Sequence, residues 1–246
     1  MPMQRAFALI SGGLSRLLLA SLAPPRCRLC RAPLFGHANP FLCSACSSGI
    51  DWIGEGACRG CGYPAGPHAA HGAECQRCRG KKLRLTAAAA VARYRAGSRA
   101  LVLSLKFRGE TEIARSMAGL MAERLRAASF FPALDCIVPV ALHPARRRGR
   151  GFDQAALLSR HLAAITGLPC AEGLLQRTRH TTPQSSLHRE ARIRNMEGAF
   201  RASPEISGKS VVLVDDVMTT GATMAECAKS CRDAGARRVS ALVFAR

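Results

Sequence analysis

Eight of the chain's 12 cysteines fall into four Cys-x-x-Cys pairs within the first third of the sequence. The pairs are Cys27/Cys30, Cys43/Cys46, Cys58/Cys61 and Cys75/Cys78. A Cys-x-x-Cys turn places two thiolates on one side of a knuckle, and two knuckles complete a tetrahedral sulfur shell around zinc. Because the surrounding segment has few apolar side chains, it needs the metal in order to fold. We therefore expect one or two closed zinc sites with a structural role.

Three alternatives remain open at these cysteines. The knuckles can pair in sequence order or interleave, and the spacing does not decide between the two arrangements. A nearby histidine can replace a thiolate, the candidates being His37, His68 and His71. A disulfide framework would need an oxidising compartment, whereas the rest of the chain does not look secreted. The zinc interpretation is the one that the pattern favours.

The charge of the chain is strongly basic. Its 36 lysines and arginines against 16 acidic residues give a formal net charge of +20, which favours anionic partners such as phosphates, nucleotides or nucleic acid. No apolar run reaches the ~18 residues that span a bilayer. Arg16, Gly12 and Gly13 interrupt the apolar start, so residues 1–25 read as a short amphipathic helix rather than a signal peptide. The expected location is the cytoplasm.

Beyond residue 80 the sequence alternates between strand-like and helix-like segments. Apolar runs predict four strands, at residues 86–94, 135–140, 210–217 and 237–246. Apolar residues three and four apart predict four helices, at residues 98–107, 111–128, 153–166 and 222–235. This alternation predicts an α/β fold with a parallel sheet between helices. The expected division is a helix (1–25), a zinc-ribbon domain (26–80) and an α/β domain (81–246).

The segment VVLVDDVMTTGATM, residues 211–224, combines an apolar strand, an acidic pair and a loop that leads into a helix. The acids are Asp215 and Asp216, at the strand end where parallel sheets bind ligands. The loop residues are Thr219, Thr220, Gly221, Ala222 and Thr223. Amides at a helix N-terminus bind a monophosphate, and carboxylates accept hydrogen bonds from vicinal hydroxyls. A ribose 5′-phosphate satisfies both halves of the segment.

This segment resembles the phosphoribosyl pyrophosphate (PRPP) signature of the type I phosphoribosyltransferases. The resemblance implies their fold, with Asp215 and Asp216 as catalytic residues and with PRPP and Mg²⁺ bound at the acids and the loop. The metal would be held largely by oxygens of the ligand. With the four cysteine pairs, residues 106–109, 148–155 and 184–195 resemble the ComF/GntX family over nearly the whole chain. That resemblance adds Lys106 to the substrate-binding residues.

Arginines dominate two further segments. The first follows the strand at 135–140; by resemblance it is a loop that receives pyrophosphate, with Arg147 and Arg150 at the family's arginine positions. Cationic side chains there would stabilise charge on a departing pyrophosphate; the alternative is a solvated surface run. The second, residues 177–195, resembles the mobile hood that closes over substrate in type I enzymes. Its alternative is a connector that touches nothing.

Two classes of function follow from these features. As an enzyme, the chain would transfer the phosphoribosyl group of PRPP to an unidentified acceptor and release pyrophosphate. As a binding module, it would sense PRPP without turnover and engage DNA or a helicase-like competence partner, because the ComF/GntX family is associated with DNA uptake. The few aromatic residues favour contacts with a nucleic-acid backbone over stacking on bases. A third possibility is a metabolic enzyme unrelated to DNA, with purely architectural ribbons.

Overall fold

The chain divides into two compact units, Met1–Gly49 and Ile50–Arg246. The computed structural model describes residues 25–34, 41–54, 56–64, 75, 78, 83–107, 111–179 and 196–246. Nearly all of the predicted N-terminal helix, and the three candidate histidines, lie outside these residues. The larger unit contains the last two cysteine pairs together with the α/β domain. The domain boundaries inferred from the sequence stay a prediction.

A four-stranded parallel sheet forms the centre of the larger unit. Its strands, in spatial order, are β1 (Ala87–Ala92), β6 (Arg238–Ala245), β5 (Ser210–Val217) and β2 (Cys136–Pro139). Each neighbouring pair is parallel, and Pro139 of β2 lies opposite Val214 of β5. The β5 side chains from Val211 to Val214 are fully buried, as expected for a strand that is covered on both faces. The predicted parallel α/β fold is therefore confirmed.

Within the described residues of the larger unit, five α-helices accompany this sheet. They are α2 (Ala96–Phe107), α3 (Glu112–Arg126), α4 (Pro144–Arg150), α5 (Gln154–Thr166) and α6 (Ala222–Asp233), while α1 (Ser44–Ser48) lies in the smaller unit. Helix α3 packs against α5 and β1, and α6 packs against β5 and β6. As predicted, α5 begins at Asp153, whose Oδ1 accepts hydrogen bonds from the amides of Ala155 (2.9 Å) and Ala156 (3.1 Å). Among the described helices, none is long and apolar enough to cross a bilayer.

Two features of the arginine segments differ from the sequence reading. The supposed loop after β2 contains α4, which His143 caps by accepting a hydrogen bond at Nδ1 from the Ala145 amide (3.2 Å). Gly151 ends α4 in the left-handed conformation with φ 83°. Further along, β3 (Leu175–Arg177) and β4 (Phe200–Ala202) form an antiparallel two-stranded sheet. Its connection includes residues 180–195, the bulk of the predicted hood, which lie outside the described part of the chain.

The segment that carries the third cysteine pair lies along the outer edge of β1. The Ala88 amide donates to the Arg59 carbonyl (2.7 Å), and the Ile53 amide donates to the Val91 carbonyl (2.8 Å). Gly62 packs so tightly that a Cβ there would lie 3.1 Å from the carbonyl carbon of Ala89. This cysteine knuckle is therefore built onto the edge of the sheet.

Candidate functional site

The acidic pair lies at the carboxyl end of β5, with its two side chains on opposite faces of the strand. Asp216 is 2% exposed, whereas Asp215 is half-buried and lines a small cavity with the 219–223 loop. The Asp215 Oδ1 accepts a hydrogen bond from the Asp216 amide (2.8 Å), which holds its carboxylate next to the strand end. Only Asp215 therefore faces the loop cavity directly.

Lys106, at the end of α2, compensates the buried charge of Asp216. The Lys106 Nζ lies 2.5 Å from Asp216 Oδ2, and 22% of the lysine side chain is exposed. The buried Oδ2 atom accepts no hydrogen bond, so Lys106 is its ion-pair partner rather than its hydrogen-bond donor. A buried carboxylate without a cation would be costly. The structure thus places Lys106 beside the predicted acids.

The electrostatics of the pair favour binding of a cation. Burial and the neighbouring charge of Asp216 raise the pKa of the Asp215 carboxyl well above its usual range, while Lys106 acts in the opposite direction. A carboxylate whose negative charge is destabilised in this way gains from an added positive charge. Carboxylate oxygens are also ligands that Mg²⁺ accepts, so the donor atoms of the acidic pair are of a kind that fits a magnesium ion.

The 219–223 loop turns sharply into α6 through Gly221. Gly221 has φ 87°, a conformation that side chains disfavour, and a Cβ there would lie 2.8 Å from Leu83 Cδ2. The Thr220 Oγ1 accepts a hydrogen bond from the Ala222 amide (3.3 Å) and so supports the first turn of the helix. The five loop residues line one cavity with Asp215, Val217, Met218 and Met224. Loop, acid and helix N-terminus therefore meet as the sequence predicts.

Arg246 is a site residue that the sequence analysis missed. It is 6% exposed, and its guanidinium donates to the carbonyls of Met218 (2.7 Å) and Thr219, which begin the loop, and to the Cys61 carbonyl (2.9 Å). Its side chain also lies over the ring of Tyr63, 6.0 Å from the centroid. The sequence gives no sign that Arg246 contacts the loop, because the residue follows directly on an ordinary apolar strand.

The two predicted arginines occupy different places on α4. The Arg150 guanidinium lies over the exposed ring of Phe107, 5.3 Å from its centroid, and donates to Gln154 Oε1 (2.6 Å). Phe107 is the residue after Lys106 in α2, so Arg150 contacts the helix that carries the ion-pair partner of Asp216. Arg147 instead lines a cleft of about 430 Å³ beside the carboxyl end of β2.

That cleft extends from α4 to the two-stranded sheet. Arg177 also lines it, lying over Phe200 at 5.4 Å, and burial together with Arg146 lowers the pKa of the Arg177 guanidinium. On another wall Arg160 donates to both carboxylate oxygens of Glu172, at 2.5 and 2.8 Å. A cleft of this size, with charged groups on its walls, can hold a small polar molecule.

The eight paired cysteines gather into two groups of four. The first cluster is Cys27, Cys30, Cys43 and Cys46, and the second is Cys58, Cys61, Cys75 and Cys78; within each, the sulfur atoms lie within 4.8 Å of one another. The pairing is therefore sequential. In the second cluster the Cys58–Cys78 and Cys61–Cys75 sulfur distances are 3.5 and 3.4 Å. Zinc–sulfur bonds of ~2.3 Å give a tetrahedral edge of about 3.8 Å, so structural zinc fits these sulfur sets.

Backbone amides lower the pKa of one thiol in each cluster. Burial would raise the pKa of Cys58, but hydrogen bonds, the largest from the Cys75 amide, lower it to about 7. In the first cluster burial is likewise outweighed by hydrogen bonds, led by the Cys30 amide, and the pKa of Cys27 falls to about 6. Zinc binds the thiolate, so these amides favour the ligating form.

Comparison with known proteins matches both parts of the chain. Residues 18–79 match the double zinc ribbon domain family, and residues 146–246 match the phosphoribosyl transferase domain family. A solved structure of glutamine PRPP amidotransferase from B. subtilis, complexed with ADP and GMP, aligns with a TM-score of 0.36 and 23% identity over 53% of this chain and 26% of that one. The two family matches alone define the class, a double zinc-ribbon protein with a phosphoribosyltransferase domain.

Full-length relatives identify the family. The DNA utilization protein YhgH of Escherichia coli strain K12 is 36% identical over 220 residues, covering 88% of this chain and 94% of the relative. Competence protein F of Haemophilus influenzae strain Rd is 30% identical over 227 residues, covering 90% and 96%. The chain belongs to the ComF/GntX family.

Proposed function

We propose that this protein binds PRPP with Mg²⁺ at Asp215, Asp216 and the 219–223 loop, and that it transfers the phosphoribosyl group to an acceptor. The observation that carries the proposal is the meeting of Asp215, the loop and the start of α6 around one cavity. The amides and hydroxyls of the loop would hold the 5′-phosphate, and the acidic side would accept hydrogen bonds from the ribose hydroxyls.

Magnesium fits the acidic side of this site because a positive charge would stabilise the ionised form of Asp215, whose pKa is raised. When bound, it would neutralise charge on the pyrophosphate group and so favour its departure. Lys106 would hold Asp216 in place as its ion-pair partner, since its Nζ lies 2.5 Å from that carboxylate. The acids thus have a binding role toward the sugar and its metal, and Lys106 has a supporting role toward the acids.

In the transfer step, the bond between the anomeric carbon and pyrophosphate oxygen breaks, and a bond to the acceptor nucleophile forms. Pyrophosphate leaves with the electron pair, and the acceptor loses its proton. The arginines of α4 would stabilise the charge that collects on the leaving group. Because β2 and β5 are neighbours in the sheet, the segments after them emerge side by side, which supports this role for Arg150 and Arg147.

A pyrophosphate-release assay tests the transfer. The purified protein is incubated with PRPP, Mg²⁺ and a panel of bases, nucleosides and DNA, and binding of PRPP is measured in parallel. The double variant Asp215→Asn/Asp216→Asn is expected to lose both binding and release. Asp233→Asn, an exposed change at the far end of α6, is the control and is expected to behave as wild type. Release that survives in the double variant would overturn catalysis at this site.

The second candidate function is that of a PRPP-sensing module that binds DNA or a competence partner. The net charge of +20 and the names of the relatives, a DNA utilization protein and a competence protein, favour it. PRPP binding without pyrophosphate release from any acceptor would support this role over catalysis. For DNA, the affinity is expected to fall steeply with salt, since each phosphate contact releases a counterion. An affinity that does not change with salt would contradict a role for the basic surface.

A further inference from the structure

The second cysteine cluster and the 219–223 loop are joined by a single buried side chain. The Arg246 guanidinium donates through Nε to the Cys61 carbonyl (2.9 Å) and through Nη1 to the carbonyls of Met218 (2.7 Å) and Thr219. Hydrogen bonds from a charged donor in a buried place are among the strong ones. Arg246 therefore connects a metal knuckle with the start of the loop.

The direction of these hydrogen bonds decides where the loop amides point. In a planar trans peptide, the C=O of one residue and the N–H of the next point in opposite directions. Arg246 holds the carbonyls of Met218 and Thr219 toward itself, so the amides of Thr219 and Thr220 point away from it. Backbone amides that share one direction are what a phosphate requires.

An apolar contact also connects the second cysteine cluster with the 219–223 loop. Leu83 packs in one buried cluster with Cys58, Cys61 and Cys78, and its Cδ2 fills the space over Gly221. Ala225 of α6 packs against the same cluster. The knuckle thus supports the loop at its first residues and at the glycine where it turns.

The Cys58–Cys61 knuckle is bonded to and packed against the edge of the sheet. The Ala88 amide of β1 donates to the Arg59 carbonyl (2.7 Å), and Gly62 packs against the backbone of Ala89 and Ala90. Loss of the metal would release the Cys58–Cys61 turn, and with it the acceptor that orients Arg246.

We propose that Arg246 is a positioning residue for the 219–223 loop, and that metal occupancy of the second cluster sets the geometry of this loop. The first cluster lies in the other compact unit, Met1–Gly49. The consequence for PRPP affinity rests on the function proposed above, whereas the consequence for loop geometry does not.

Hydrogen exchange of the loop amides tests the geometric claim without any ligand. In Arg246→Gln, exchange at residues 218–223 is expected to accelerate about tenfold, as the loss of a charged hydrogen-bond donor implies. Arg237→Gln is the matched control, because Arg237 binds Ser210 and Asp135 at the opposite end of the sheet. Zinc content, measured by native mass spectrometry, is expected to stay at two ions per chain in both variants.

Two substitutions of zinc-ligating cysteines test whether metal occupancy of the second cluster sets the loop geometry. Cys75→Ser in the second cluster is expected to accelerate loop exchange, whereas Cys43→Ser in the first cluster leaves it unchanged. If Cys75→Ser fails to fold, Arg246→Gln decides alone, because it leaves all eight thiols in place. Unchanged loop exchange in Arg246→Gln, or equal acceleration by both cysteine variants, would overturn the proposal.

PRPP titration of the same proteins separates this inference from the proposed function. With Mg²⁺ present, Arg246→Gln is expected to bind PRPP about tenfold more weakly than wild type, and Arg246→Lys to recover part of the loss because it restores a cation. If wild type binds no PRPP at all, the proposed function fails, while the exchange experiment still decides whether Arg246 positions the loop.

Discussion

At the scale of single residues, the site depends on how one lysine balances two acids. Burial and Asp216 raise the pKa of Asp215, and Lys106 lowers it. Under the proposed function, a magnesium–PRPP complex would bind best to negatively charged carboxylates, and Lys106, whose Nζ lies 2.5 Å from Asp216 Oδ2, opposes the rise in the pKa of Asp215. The family resemblance marked Lys106 as a ligand contact, and the structure gives it this additional role.

Lys106→Met is expected to weaken PRPP binding and to change its pH dependence. Removing the cation raises the pKa of Asp215 further, so affinity falls at a fixed pH, and the pH at which half of the affinity is lost moves upward. Calorimetric titrations with PRPP and Mg²⁺ at several pH values measure this shift. Lys229→Met, which removes an exposed lysine paired with Asp233, serves as the control. A midpoint that stays at the wild-type pH would contradict the role of Lys106.

Gly221→Ala is expected to destabilise the protein by about 1–2 kcal/mol, because a side chain at φ 87° is strained. The new Cβ would also approach Leu83 Cδ2, but that atom is the end of a flexible side chain and can move. Urea unfolding measures the change. Gly119→Ala in the middle of α3, where a Cβ meets nothing within 4 Å, is expected to be neutral or stabilising, and equal losses in the two variants would refute the argument.

At the scale of secondary-structure elements, periodicity predicts the long elements and misses the short ones. Strands β1, β2, β5 and β6 lie where the apolar runs predict them, since a strand of a parallel sheet covered on both faces is apolar along most of its length. Helix α4 is missed because a run of arginines reads as a solvated loop, although His143 and Gly151 cap it. The β3–β4 pair is missed because three residues are too few to establish an alternation.

The start of α5 offers a test of element stability. Asp153 accepts hydrogen bonds from the amides of Ala155 and Ala156 at Oδ1 and from that of Leu142 at Oδ2 (3.0 Å). Asp153→Ala is expected to lower the free energy of unfolding by about 1–2 kcal/mol through loss of the cap. Asp153→Asn keeps one acceptor oxygen and is expected to lose less. Chemical denaturation of the three proteins checks this order, and equal stability of Asp153→Ala and wild type would disprove the capping role.

At the scale of the whole molecule, sequence reasoning predicts the zinc-ribbon and α/β parts but not how the second knuckle joins the loop. The Cys-x-x-Cys spacing identifies the eight thiols in the sequence. Only the folded structure shows that consecutive cysteine pairs form the two four-sulfur clusters. The Arg246 contact with Cys61 joins residues 185 positions apart, and no local pattern encodes it. The acidic pair and loop are predicted well because all their residues lie within one strand–loop–helix unit.

The central claim is that PRPP binds between the acidic pair and the 219–223 loop. Calorimetric titration of the zinc-loaded protein with PRPP, in the presence of Mg²⁺, tests it most directly. We expect wild type and Asp233→Asn to bind PRPP saturably at one site per chain, and Asp215→Asn/Asp216→Asn not to bind it. Absence of binding in wild type, or binding of equal strength in the double variant, would contradict it.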